Sequence, residues 1–321
     1  MSESSKITNK RQADTFLRGI AICCVILIHF LSSYKKSPYV TGAEYQTIAV
    51  TLDQLSRVAV PLFVALSGYA LMLKYRSSEL KWDEFLKKRV FKLLPLYILW
   101  SYIFWFVFLF LPLWRPTSEM KPFFGQLLYG NADYHLYFVP MIFQLYLLFP
   151  FLLKLAKKNA WVLLIASGIF QVAYYLMVSV EVTNRPGTTF FQSDQKQYVW
   201  FFTWIFYFIL GMCLPQILEW IKAHKISAWI LSAVAILSGT WVAVSALSAI
   251  NSGVDPLVAL RFTRVEILLY ATTCIVALFV LLEKPRPLPK LLLFLGAYSY
   301  VIYLAHTLIL RIIFLFINPP L

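Results

Sequence analysis

The sequence predicts an all-α fold, a polytopic transmembrane helical bundle of nine to ten spans, and three observations carry that prediction. Of the 321 residues, 60% are hydrophobic, 17% aromatic and only 14% charged, with a mean hydropathy of +0.71, far more apolar than a soluble domain of this length. A soluble globular enzyme is excluded on that ground, and so is intrinsic disorder, which needs low hydrophobicity and high charge density. Nine apolar runs, at about 16–34, 56–75, 92–113, 134–155, 160–181, 198–218, 226–248, 264–282 and 291–317, are long enough to cross a hydrocarbon core of roughly 30 Å as helices. No ten-residue alternation of apolar and polar residues is visible, and lipid excludes unpaired backbone groups, so the spans are helices and not barrel strands.

Taken in order, the first run follows Lys6, Lys10 and Arg11 and so has the start of a secretory signal, but no small-residue cleavage site follows it. It is a retained span, which makes residues 1–15 a cytoplasmic N-terminal tail and 16–321 one transmembrane domain. The following connections are short, the longest exposed one running from about Lys35 to Leu55, and neither a repeat nor a Gly/Ser linker interrupts the series. Counting Lys and Arg on alternate sides of the spans gives 19 on the side of the N-terminus and 9 on the other, with Arg311 inside the last run. The positive-inside rule therefore sets the N-terminus in the cytoplasm of a multi-pass plasma-membrane protein. It also explains the net charge of +14: the cations sit beside anionic headgroups along several membrane edges and form no stripe that could follow a nucleic acid. Cys23, Cys24, Cys213 and Cys274 lie in apolar runs without metal-ligand spacing, so no disulfide framework and no metal site is expected.

Any chemistry falls to polar side chains within the spans, where ionisable groups are costly and by default mark function. Arg18 and His29 stand eleven residues apart in the first run, which is three helical turns plus about 20°, so they share a face roughly 16 Å apart along the axis. With Arg18 at the cytoplasmic edge, His29 lies near the bilayer midplane, where an imidazole can take and return a proton. That arrangement suits a long anionic donor, its phosphates on Arg18 and its reactive end at His29. Small residues of the same helix, Cys23 beside Val25 and Ile26, would border its path. Lys88, Arg89 and Lys92 enter the third run just before Pro95, either as a plain positive-inside signal or as a phosphate cradle. His135 reads as an interfacial residue or a substrate contact, and His306, deep in the last run, as packing or as a contact near an acceptor. Arg311, five residues further on, reads as a snorkelling side chain. Arg261, Arg264 and Glu266, at the outer start of the eighth run, either pair with one another or hold sugar hydroxyls. The tryptophans at 100, 105, 200 and 204 read as interface belts and helix packing.

These residues resemble the type 3 acyltransferase family of integral membrane acyltransferases, which includes bacterial surface-polysaccharide O-acyltransferases. Arg18 and His29 reproduce the family's Arg and His separated by ten residues. "VPLFVALSGYAL" (Val60 to Leu71) is similar to its second-helix Ser-Gly signature, and "KKRVFKLLPLY" (Lys87 to Tyr97) to the basic run that starts its third helix. "HLYFVPMIFQLYLLFP" (His135 to Pro150) and "LGAYSYVIYLAHTLIL" (Leu295 to Leu310) resemble two further stretches, in the family's order. The resemblance implies transfer of an acyl group, often acetyl, from cytoplasmic coenzyme A to a sugar hydroxyl at or beyond the outer face. His29 would be the essential His and Arg18 the motif Arg. The sequence departs from the pattern in its nine apparent spans where family members usually have ten, and in carrying Lys88 and Lys92 where the family has Arg.

The expected activity is therefore O-acylation of a cell-surface glycan or glycolipid by acyl-CoA, acetyl-CoA in the simplest case, without a metal. His29 is the catalytic base; Arg18, Lys88, Arg89 and Lys92 hold the donor; His135, His306, Arg261, Arg264 and Glu266 are the candidates for contact with the acceptor, a glycan or lipid-linked sugar. The alternative is a transporter of a glycan or a proton-coupled solute, with the buried Arg and His lining its path.

Overall fold

The computed structural model describes residues 3–34, 43–111, 122–184, 197–284 and 286–317, and among these every regular element is a helix. The segment 35–42, with Lys35 and Lys36, and the residues around Arg115, Lys121, Arg185 and Lys196 lie outside the described residues. Seven of the described helices are long and apolar enough to cross a membrane. One of them, α6 (Phe138–Asn184), has 47 residues, about 70 Å of helix at 1.5 Å per residue and more than twice a hydrocarbon core. It is broken at Asn159, whose backbone leaves the helical region at φ −159° and ψ 100°. The Asn159 side chain caps the second half by accepting from the Val162 N–H at 3.1 Å, so α6 supplies two of the predicted spans.

The first span, α1 (Glu3–Tyr34), is helical from well before residue 16. The stretch ahead of the second span, expected as part of an exposed loop, is a helix from Ala43: α2 (Ala43–Ser56), followed after two residues by α3 (Ala59–Tyr75). Loop chemistry is missing from this stretch because its polar residues pair at helical spacing. Arg57 donates to Asp53 at 3.0 Å, four residues back, and Asp53 and Gln54 are buried. The third span is α4 (Trp82–Phe110), and a short α5 (Phe123–Tyr129) precedes α6. Beyond a single 3-10 turn come α7 (Ile205–Ala223), α8 (Ala228–Asn251), the one-turn α9 (Pro256–Ala259) and α10 (Val265–Leu281). The last apolar run is split into α11 (Lys290–Ala297) and α12 (Ser299–Ile317), with Tyr298 between them. All nine runs thus meet helices, but the last is two pieces.

The core is the crossing of α3 and α7, both apolar around most of their circumference, as a helix enclosed by other helices must be. Gly68 and Gly211 lie at that crossing. A Cβ on Gly68 would run into the Phe208 carbonyl, and one on Gly211 into that of Ala65. Small residues that let backbones meet are how membrane helices gain packing where lipid removes the hydrophobic drive between them. The same device joins α1 to α11: a Cβ on Gly19 would strike the Leu292 carbonyl and one on Gly296 that of Thr15. Around this core α6 packs on α7, α8 on α10 and on α2, and α12 on α1 and α4. Trp204 is fully buried, its indole donating to the Tyr198 carbonyl at 2.9 Å, and so belongs to this packing and not to an interface belt.

Candidate active site

Three histidines from three separate elements meet beside α1. His29 comes from α1, His135 from the turns ahead of α6, and His306 from α12. The His29 ring centroid is 5.1 Å from that of His306 and 6.4 Å from that of His135, and the latter two are 4.9 Å apart. Tyr134 closes the other side of His29 at 5.0 Å. His135 and His306 are almost wholly buried.

Donor and acceptor counting fixes much of the ring chemistry. Nδ1 of His306 lies 2.6 Å from the Tyr303 carbonyl, an oxygen that can only accept, so this nitrogen carries the proton. In the neutral ring Nε2 is then a bare acceptor, buried and without a hydrogen-bond partner. The Thr307 hydroxyl donates to Asp133 Oδ2 at 2.7 Å. His135 Nδ1 lies 3.2 Å from both Thr307 Oγ1 and Asp133 Oδ2, and its Nε2 lies 3.4 Å from the Leu304 carbonyl, so both ring nitrogens face oxygens. Arg311 Nη2 donates to the other Asp133 oxygen at 2.7 Å, and its guanidinium stacks over Phe108 at 4.8 Å. Arg311 thus neutralises a buried carboxylate and does not snorkel. Burial alone would raise the Asp133 pKa, but its bonds to His135, Arg311 and Thr307 hold it well below the usual carboxylate range. Finally, the Tyr303 hydroxyl donates to the His135 backbone carbonyl.

Tyr303 also borders a cavity of about 450 Å³ lined by the N-terminal half of α1. Asp14, Thr15 and Arg18 line it from α1, Phe63 and Ser67 from α3, Arg89 and Lys92 from α4, and Tyr300 from α12. The Tyr303 ring packs against His135 at 5.3 Å and against His306 at 5.8 Å, so one aromatic side chain serves both the cavity wall and the histidine cluster. Along α1 itself, Arg18 lines the cavity while His29 belongs to the cluster, in the order their spacing predicts. The bordering residues differ from expectation. Val25 packs in a buried cluster with Tyr97 and Phe104, with Ile26 against that cluster, and the apolar lining of the cavity includes Phe63, Phe138, Val139 and Tyr303.

The four predicted donor residues separate. Arg18 gives two bonds to Asp14, at 2.9 and 3.3 Å, which occupy one edge of its fork. Arg89 lies over Tyr146 and Phe85 at 5.1 and 5.4 Å, its Nε buried and without a hydrogen-bond partner. Lys92 faces the same cavity. Lys88 is elsewhere, 66% exposed and 3.9 Å from Glu84.

The predicted acceptor residues separate as well. His135 and His306 join His29, whereas Arg261, Arg264 and Glu266 line another cleft, between α6, α8 and α10. Arg264 is spent on the protein: it donates to Gln54, to the Ala259 carbonyl and to Ser245 at 3.1, 2.9 and 2.6 Å, and it pairs with Glu266 at 3.4 Å. Sequence reasoning missed Asp133 and Thr307. A signal was present, since Thr307 and Arg311 are one turn apart on the last span and an isolated intramembrane Arg calls for an anion. No group of His, Cys, Asp and Glu arranged to hold a metal occurs among the described residues.

The chain is similar to known proteins over most of its length. A protein of Bacillus subtilis (strain 168) named "Putative membrane-bound acyltransferase YfiQ" is 26% identical over 325 residues, covering 95% of this chain and 82% of that protein. No solved structure gives a significant match. The sequence profile of the type 3 acyltransferase domain matches residues 15–321, from the cavity-lining Thr15 to the end of the chain. The chain belongs to the type 3 acyltransferase family.

Proposed function

We propose that the protein moves an acyl group, acetyl in the simplest case, from cytoplasmic acyl-CoA to a hydroxyl of a cell-surface glycan or glycolipid. The observation that carries this reading is the sharing of Tyr303 between a cavity with a cationic mouth and a cluster of three histidines. Arg89 and Lys92, with the free edge of Arg18, offer charge to donor phosphates, while the apolar lining suits a pantetheine-like arm. Lys88 contributes at most to the potential at the membrane surface.

In this mechanism His29 takes the proton of the acceptor hydroxyl as its oxygen attacks the thioester carbonyl. The carbon–sulfur bond breaks, and the proton on His29 passes to the departing thiolate. His306 Nε2, an unpartnered buried acceptor, is suited to receive a hydrogen bond from a neighbouring hydroxyl of the acceptor and so to orient it. His135, held by Asp133 and Thr307, packs against both rings and keeps them in place.

The test is acyl transfer from labelled acyl-CoA in inside-out membrane vesicles. His29→Ala and His29→Gln are expected to lower turnover by about 10² or more, the usual scale for loss of general base catalysis, at unchanged protein level. Turnover near that of the unaltered protein would refute the assignment. Solute flux without an acylated product would favour the transporter alternative.

A further inference from the structure

The cleft between the second half of α6, α8 and α10 has a volume of about 770 Å³ and is separate from the cavity at Arg18. Arg261 lines it while only 9% exposed, and its Nε is buried without a hydrogen-bond partner. Among the described residues the neighbouring charges do not compensate it, because Glu266 is paired with Arg264 and Arg264 is held by Gln54, Ala259 and Ser245. A largely buried guanidinium with no anion beside it among the described residues is unfavourable, and it presents a fork that matches phosphate. The opposite wall is apolar: Leu176, Trp241 and Leu269 line the cleft and are 53%, 55% and 45% exposed. In a membrane protein that exposure faces acyl chains, so the cleft opens sideways to the bilayer.

We infer that this cleft binds an anionic phospholipid, whose phosphate is received by Arg261 and whose chains lie along Leu176, Trp241 and Leu269. A small anion would fill the polar end and leave that wall uncovered, and a zwitterionic lipid brings a phosphate already neutralised by its own choline cation, which compensates the guanidinium less. The site is independent of the acyl-transfer reading, and its test involves no turnover.

The experiment compares thermal unfolding of the full chain in neutral detergent alone, with phosphatidylglycerol, with phosphatidylcholine and with inorganic phosphate, and measures lipid retention by native mass spectrometry. Phosphatidylglycerol should raise the midpoint through linkage, and the other two additions should not. Arg261→Met should unfold at the same or a higher temperature in neutral detergent, because it removes an unpaired buried cation. It should also lose the phosphatidylglycerol shift and retain that lipid about tenfold less well. Lys158→Gln, an exposed cation at the α6 kink, should keep both. Should Arg261→Met fail to fold, Arg261→Lys keeps the charge without the fork and should show a reduced but lipid-specific shift. The inference is overturned if Arg261→Met keeps the full shift, if the choline lipid or phosphate alone serves equally, or if neither arginine variant differs from the unaltered chain.

Discussion

Asp133 is the residue on which the histidine cluster hangs, since one buried carboxylate accepts from Thr307 and Arg311 and faces Nδ1 of His135. Replacing it by Asn keeps the shape and removes the charge, which strands Arg311 and leaves His135 with a weaker partner. Breaking a buried pair costs about 3–5 kcal/mol, and Arg311 keeps 22% of its side-chain exposure, so Asp133→Asn is expected near the lower end. Thr307→Val deletes one neutral donor and should cost about 1 kcal/mol. Unfolding of both variants in detergent measures the difference, and equal losses would mean that the charge contributes nothing. Because the Asp133 pKa is depressed in the folded state, its contribution is present above the ordinary carboxylate pKa and is lost as pH falls through the lower folded value. Asp133→Asn should therefore flatten the acid side of the stability profile. At this scale the sequence relates His29 to Arg18 legibly, because one helix separates them by a fixed period. Asp133 and Thr307 are not legible in this way, because their meeting depends on a turn touching a helix more than 170 residues further along the chain.

The elements meet through glycines. Gly68 and Gly211 bring α3 and α7 into backbone contact, and Gly19 and Gly296 do the same for α1 and α11. Gly296 has a direct bearing on the site, because α11 leads into α12, which carries Tyr303, His306 and Thr307, and Gly296 itself lines the cavity at Arg18. Gly296→Val must push α11 off α1, since the Cβ would meet the Thr15 backbone and not a side chain that can turn away. Overpacking of this kind costs about 1–3 kcal/mol, and the displaced α12 should lose acyl transfer before the fold is lost. Gly125→Ala, where an added Cβ meets nothing within 4 Å, is the control and should be silent by both measures. The spans themselves were legible because a 20-residue apolar run has few other fates. The break at Asn159 was anticipated by the two runs on either side of it. The helix α2 was not, because its burial of Asp53 and Gln54 rests on Arg57 and on the distant Arg264.

At the scale of the whole molecule, the arrangement has a direction. Arg18, Arg89 and Lys92 gather at one end of the cavity, on the side where 19 of the cationic residues are counted, and the histidines lie beyond Tyr303 on the other side of it. If the positive-inside rule orients the chain, the donor site opens to the cytoplasm and a hydroxyl acceptor meets His29 from the opposite face. Ser67 lines this cavity on α3 and is half-buried, its hydroxyl donating to the Phe63 carbonyl in its own helix, so Ser67→Cys should preserve the packing. In a background with Cys23, Cys24, Cys213 and Cys274 replaced by Ala or Ser, a membrane-impermeant maleimide should label this thiol in inside-out vesicles and not in right-side-out ones. Acyl-CoA added to the inside-out vesicles should protect it, and Arg89→Ala should weaken that protection by about tenfold through loss of a charge-assisted contact to phosphate. Labelling from the outer face, or protection indifferent to Arg89, would reverse the orientation or move the donor to another site.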